Sequence, residues 1–384
     1  MRRVLPLVLL SVAAACASET GGSWLGDATR VAPGVEFYES SDPTLVDPVG
    51  PIAVHLLRLD PARVRLTSVL AQDEILGAER VEAMAVRHDA VAAINGGFFN
   101  QGTGEPLGLL KVGRELVSDT GVFRGAVIIQ SPADGPTELT FDQVAVRMTL
   151  SFEAEDREWQ VQVNGVDTTR ARGRLMLYTP TYHADTDTAA NGTEWVLSGD
   201  PLTVREVRHD LGRTTIPRDG IVLSYGGLDL PEELSALTPG VEVSLGATWR
   251  TVYGLLSDSL DAADHIIGGA GLIKRDGRVV GGWDETEDLD PEAFIDERHP
   301  RTLIGRDRQG FIWLVAVDGR RSGHSVGMAF ADVIRLSERL ALRDVLNLDG
   351  GGSTTMVVNG DVVNRPSDPT GARTVSDALV VTLR

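Results

Sequence analysis

345-VLNLDGGGSTTMVVNGDVV-363 changes character twice within a few residues. Val345 to Leu348 is apolar and too short for a helix, so it reads as a buried strand, and Thr354 to Val358 reads as a second one. Asn359-Gly360 between apolar runs is a strong signal for a two-residue hairpin turn. Asp349 and Gly350, Gly351 and Gly352 therefore fall at a strand end, above a sheet. Three consecutive glycines cost backbone entropy on folding. They also let the main chain approach a ligand, and their free amides can form an anion-binding concavity. Spacing alone equally permits a tight turn capped by the aspartate. Other strand ends have to decide between the two.

The whole chain bounds the answer. It has 384 residues, 36 basic against 55 acidic, and a net charge of −19. So acidic a chain lacks the basic footprint that nucleic acid requires. Its one cysteine, Cys16, cannot support a disulfide framework. Arg2 and Arg3 precede an apolar stretch, Val4 to Ala15, too short to cross a bilayer. The sequence 13-AAAC-16 after it resembles a bacterial lipoprotein signal, with Ala13 where a larger aliphatic residue is usual. The resemblance implies that 1–16 is a lipoprotein-type signal segment, in which Cys16 becomes the lipidated first residue of the mature protein. The expected location is the bacterial cell envelope, with the protein lipid-anchored through Cys16 or secreted. Membrane contact is then through the lipid alone. Residues 17–30 read as a flexible tether and 31–384 as the folded domain.

Within that domain, 52-IAVHLLRLD-60 and 63-RVRLTSVL-70 have strand patterning, and 78–90 has helical spacing. Residues 325–344 carry Val326, Phe330, Val333, Ile334, Ser337 and Leu340 on one helical face, with Ser325 as the expected N-cap. Between 130 and 265, short strands and turn signals alternate, which suggests an inserted β-rich subdomain. Its loop 185-DTDTAANGTE-194 lacks oxygen ligands where a calcium loop needs them and reads as a solvated turn. The expected class is α+β, with a central twisted mixed or antiparallel sheet and a few helices.

Three further strand ends are polar. Asn95 precedes Gly96 and Gly97. Arg301 stands in the apolar setting 299-HPRTLIGRD-307, where an unpaired guanidinium would be costly. In 318-DGRRSGHS-325, Asp318, Arg320, Arg321 and His324 follow an apolar run. Several such clusters imply one site assembled from distant segments. The set 93-AINGGFFN-100, 107-LGLLKVGRELVS-118, 268-GGAGLIKRDGRV-279, 299-HPRTLIG-305, 316-AVDGRRSGHSVGMAFADV-333, 346-LNLDGGGSTTMVVNG-360 and 373-RTVSDALVV-381 resembles the phosphodiester glycosidase family, over roughly residues 50–384.

The resemblance implies hydrolysis of a sugar 1-phosphodiester, with a phosphate-linked glycan as partner. Asp349 is then the leading catalytic carboxylate, Asp318 the second candidate and His324 a proton-transfer aid. Arg301 and the backbone around Gly350, Gly351, Gly352 and Ser353 would hold phosphate, and Asn95, Ser353 and Thr354 phosphate or sugar oxygens. No cofactor is required, although a divalent cation, calcium or magnesium, could bridge carboxylate and phosphate. The competing class is a non-catalytic envelope lipoprotein that binds glycan or phosphoglycan. A metal-dependent phosphodiesterase is disfavoured, because the 7 histidines show no ligand spacing.

Overall fold

Leu57 and Leu59 turn to one face of the Val54–Leu59 strand and Val54 and Leu56 to the other, and all four are fully buried. A strand apolar on both faces belongs in the middle of a layered structure. In the computed structural model, which describes residues 24–384, this strand is third in an eight-stranded sheet. It is followed there by Ile312–Val317, Arg301–Asp307 and Leu342–Asn347, each antiparallel to its neighbour. One face packs on a five-stranded sheet that includes Ala92–Asn95, Met356–Val358 and Asp377–Leu383. Phe330, Val333 and Leu336 of the Phe330–Arg339 helix cover the other. Each fully buried side chain of this size contributes about 1.5–3 kcal/mol.

That helix starts four residues later than the sequence suggests, with its N-cap at Ala329 and not Ser325. Ser325 donates its hydroxyl to the Asp318 carbonyl instead of capping, and Gly327 takes a left-handed conformation at φ +83°. Ala329 holds the N-cap position, and its N–H donates to the Asp332 carboxylate at 3.3 Å. The Asn359-Gly360 turn forms as expected, both residues at positive φ between Met356–Val358 and Asp361–Val362.

Glu138–Ala154, Arg157–Val163 and Val243–Thr251 extend a seven-stranded sheet rooted in Arg124–Gln130 and His265–Gly268. Beyond it, Leu175–Tyr178, Gly192–Ser198, Thr203–His209 and Gly220–Gly226 belong to a further five-stranded sheet, packed around Trp195, Leu177 and Leu223. The α+β class with predominantly antiparallel pairing is therefore present. In place of one central sheet stand four sheets of five or more strands, because twisted sheets of many strands split into packed layers. Glu287 joins two of them. Its buried carboxylate accepts the N–H groups of Gly125, Gly271 and Leu272 and the Gln143 amide at 2.8–3.0 Å.

The ordered chain reaches further toward the N-terminus than expected. Trp24 and Leu25 pack against the helix side of the sheet, the Gly26 N–H donates to the Glu39 carbonyl, and Thr29–Ala32 pairs with Val35–Ser40. Two apolar side chains with a core to join override the tether reading from residue 24 on. The segment 1–16, with Cys16, lies outside the described residues. Among the described residues no helix is long and apolar enough to cross a membrane.

Candidate active site

Antiparallel register brings Arg301 and Asp349 together. Leu303 pairs with Asn347 and Ile304 with Leu346, so two more steps along the ladder set Arg301 opposite Asp349. The Leu348 N–H still donates to the Thr302 carbonyl at 2.8 Å, and the Gly351 N–H to the Pro300 carbonyl at 3.0 Å. The strand ends open into a cleft of about 320 Å³ lined by Phe98, Gln101, Ala293, Phe294, His299, Pro300, Arg301, Arg320, Asn347, Asp349, Gly350, Gly351, Gly352 and Arg373. A larger cavity of about 550 Å³ lies beyond Phe98 and Phe294 and contains none of the polar residues expected from sequence.

Asp349 is the one carboxylate among the lining residues. Burial raises it from its ordinary value to about 6. The Ser353 hydroxyl, the Arg373 charge and the Gly350 amide hold the rise back, and Asp377 adds a like-charge push. The Ser353 hydroxyl makes no full hydrogen bond, and desolvation is the largest cause of the shift. Asp349 keeps partial exposure to the cleft. Its backbone is held from below, where Asn95 Nδ2 donates to the Asp349 carbonyl at 2.7 Å. Asn95 Oδ1 accepts the Thr302 hydroxyl and the Thr355 N–H. Fully buried and with its amide paired at both ends, Asn95 is a scaffold under Asp349 and not a cleft residue.

The glycines answer to close approach more than to free amides. A Cβ on Gly350 would lie 2.5 Å from the Pro300 carbonyl oxygen, and one on Gly352 would collide with the Arg373 guanidinium and the Asp368 carboxylate. Gly351 adopts φ +61°. The loop closes as a short 3-10 turn, in which the Gly351 and Ser353 amides already donate to the Pro300 and Gly350 carbonyls. Those two amides are therefore not open to phosphate, contrary to the expectation. Ser353 and Thr354 are buried and absent from the lining, with Thr354 beside the Thr302 hydroxyl at 3.4 Å.

Cations dominate the cleft. Arg301 is 2% exposed; its Nε donates to the Met328 carbonyl at 2.8 Å, and its Nη2 to the Phe294 and Glu297 carbonyls at 2.7 and 3.2 Å. The Phe294 and Phe330 rings stand 5.1 and 4.9 Å from the guanidinium carbon. Burial, then the Arg320 charge, lowers its pKa without neutralising it near pH 7. Arg320 donates to His299 Nδ1 at 2.9 Å, and His299 Nε2 lies 2.8 Å from the Ala293 carbonyl. That pairing makes His299 the neutral Nε2–H tautomer, in keeping with a pKa lowered by burial and by the two arginines. Neither Arg301 nor Arg320 pairs with a described carboxylate, whereas Arg373 is held bidentately by Asp368 at 2.8 and 3.0 Å.

Asp318 and His324 lie elsewhere. Asp318 is 1% exposed and outside the lining. Its carboxylate meets His324 Nε2 at 2.7 Å, Asn364 Nδ2 at 3.0 Å and the Arg365 N–H at 3.0 and 3.1 Å, with His55 Nε2 at 3.5 Å. Burial pushes it up, but the His55 and His324 contacts outweigh that and leave it below the usual carboxylate range. An acid so encircled joins three segments and cannot reach a substrate. His324 is turned to it. Sequence reasoning left out Arg373, His299, Asn347 and buried Asp377, whose carboxylate accepts the Gly97 N–H at 2.9 Å. Asp377 had one legible signal, because Gly96 is a glycine only where something occupies its Cβ position, and that is the Asp377 carboxylate. Among the described residues no group of three or more His, Cys, Asp or Glu is disposed to hold a metal.

A family model described as phosphodiester glycosidase matches residues 191–382. Over 157 residues, 40% of the chain, the sequence is 29% identical to the Mus musculus N-acetylglucosamine-1-phosphodiester alpha-N-acetylglucosaminidase. That match spans 26% of the mouse protein, so the chain covers about a quarter of the length of the curated relatives it matches. In fold it resembles a hypothetical protein from Synechocystis, with TM-score 0.78 and 22% identity over 93% of this chain and 63% of that one. A Burkholderia pseudomallei protein is similar as well, with TM-score 0.72 and 22% identity over 87% of this chain and 74% of the other.

Proposed function

The chain belongs to the phosphodiester glycosidase family, and from that premise we propose that it hydrolyses the bond between a sugar's anomeric carbon and phosphate in a sugar 1-phosphodiester. One observation carries the reading. Two guanidinium groups without carboxylate partners, Arg301 and Arg320, share a cleft with a single carboxylate of raised pKa, Asp349. In a chain of net charge −19, two arginines without carboxylate partners, Arg301 buried and Arg320 exposed at the cleft, call for an anion from outside.

The chemistry matches the inventory. Glycosidases ordinarily need a second carboxyl group to protonate the leaving oxygen. A phosphomonoester leaves as a stable anion, so charge neutralisation by arginine replaces the acid. Water supplies its oxygen to the anomeric carbon, the C–O bond breaks, and its electron pair stays on the phosphate. The Asp349 carboxylate stabilises the oxocarbenium-like centre and takes up the water's proton. Arg301, Arg320 and Arg373 hold the phosphate. Asp318 acts through others, tying the 318–325 segment, from which Arg320 projects, to Asn364 and Arg365.

Because the ionised form of Asp349 works, kcat/KM should rise tenfold per pH unit below about 6 and level off above it. Release of reducing sugar from a chromogenic sugar 1-phosphodiester, followed from pH 4 to 8, measures this; activity that falls across pH 6 contradicts the assignment. Labelled solvent oxygen should appear in the sugar, and its appearance in the phosphate would mean P–O cleavage. The substrate would belong to an envelope or extracellular glycoconjugate, with the enzyme lipid-anchored through Cys16 or secreted. No metal enters this scheme.

A further inference from the structure

Asn347 stands at the floor of the cleft with one hydrogen-bonding atom unaccounted for. Its Nδ2 donates to the Ala270 carbonyl at 2.8 Å and to the Leu348 carbonyl at 3.0 Å. Two acceptors identify the NH2 end of the amide, so Oδ1 is turned away from both. The residue is 1% exposed, and Oδ1 is buried with no donor among the described residues. Buried amide oxygens are nearly always paired. Asn347 lines the cleft two positions before Asp349, about 7 Å along near-extended chain.

We infer that Asn347 Oδ1 is the acceptor for a hydroxyl or amide N–H on the glycosyl ring, which sets the sugar on the Asn347 side of the cleft and the phosphate on the Arg320 and Arg373 side. The inference rests on the glycosidase reading. A phosphodiester anion offers acceptor oxygens only and cannot satisfy another acceptor, whereas the arginines are donors only. Sugar hydroxyls and acetamido groups can donate. The cleft's polar atoms therefore sort the two halves of the substrate, and Asn347 becomes a specificity-determining residue that rejects rings lacking one particular donor.

Calorimetric titration of the full chain tests this with the 1-C-phosphonates of glucose and N-acetylglucosamine, which bind without being hydrolysed, and with their deoxy and deoxyfluoro analogues. Fluorine can accept but cannot donate. At one ring position, both the deoxy and the deoxyfluoro analogue should bind roughly 10- to 100-fold more weakly than the parent. In Asn347→Ala that penalty should shrink to less than about threefold. A penalty that persists in Asn347→Ala overturns the inference, as does failure of both parents to bind. Should the variant fail to fold, the unaltered chain decides: deoxyfluoro analogues that bind like their parents at every position overturn it. Absence of turnover with the binding pattern intact counts against hydrolysis and leaves the contact standing.

Discussion

Replacing Asp349 with asparagine should abolish release of sugar from a sugar 1-phosphodiester and, in the same molecule, stabilise the fold above pH 7. Both effects come from one cause. Burial raises the Asp349 carboxyl from 3.8 to about 6, so the native state retains this proton to higher pH than the unfolded chain does. The group's contribution is most favourable below the unfolded value and is lost as pH rises through about 6. Above that, holding an ionised carboxylate in the cleft costs about 1–3 kcal/mol. Asparagine keeps the shape and removes the charge. Turnover should fall by at least about 10³-fold, while the urea midpoint at pH 8 moves up. Near-normal turnover would remove Asp349 from the chemistry. A lowered midpoint would mean that the carboxylate is structural.

Arg301→Lys should be the most damaging conservative change in the cleft. Arg301 has two tasks: Nε and Nη2 tie the Met328, Phe294 and Glu297 carbonyls, and the remaining face of the guanidinium turns to the cleft. A lysine ammonium is a point charge that cannot span three carbonyls and a phosphate together. Buried carbonyls without donors cost about 1–3 kcal/mol each. The expected outcome is a loss of kcat/KM of about 10²- to 10³-fold toward phosphodiesters, with a lowered thermal midpoint. Equal loss toward an uncharged aryl glycoside would separate Arg301 from phosphate recognition.

Much of the site was legible because its residues lie at strand ends marked by glycine. The run from Leu348 to Gly352 announced a place where backbone comes close to something, and Arg301 announced a charge in apolar surroundings. What could not be read was which neighbours fill those spaces. The Gly352 gap is filled by the Arg373–Asp368 pair, about twenty residues further along the chain. Asp318 looked like a second catalytic acid because it too ends a strand. Its carboxylate is saturated by His324, Asn364 and the Arg365 N–H, and two of those partners lie more than forty residues away.

The division follows from the range of the forces involved. Alternating apolar residues, the Asn359-Gly360 turn and the strand-end position of Asp349 are local, and the amino-acid sequence by itself determined them. So did the segment-by-segment likeness to phosphodiester glycosidases. Register, burial and hydrogen-bond saturation are set by residues distant in sequence, and only the tertiary structure decided them. The pairing of Leu303 with Asn347 carries Arg301 to Asp349. Encirclement withdraws Asp318 and Asn95 from the cleft. Desolvation, which no sequence pattern measures, lifts the Asp349 carboxyl toward neutral pH.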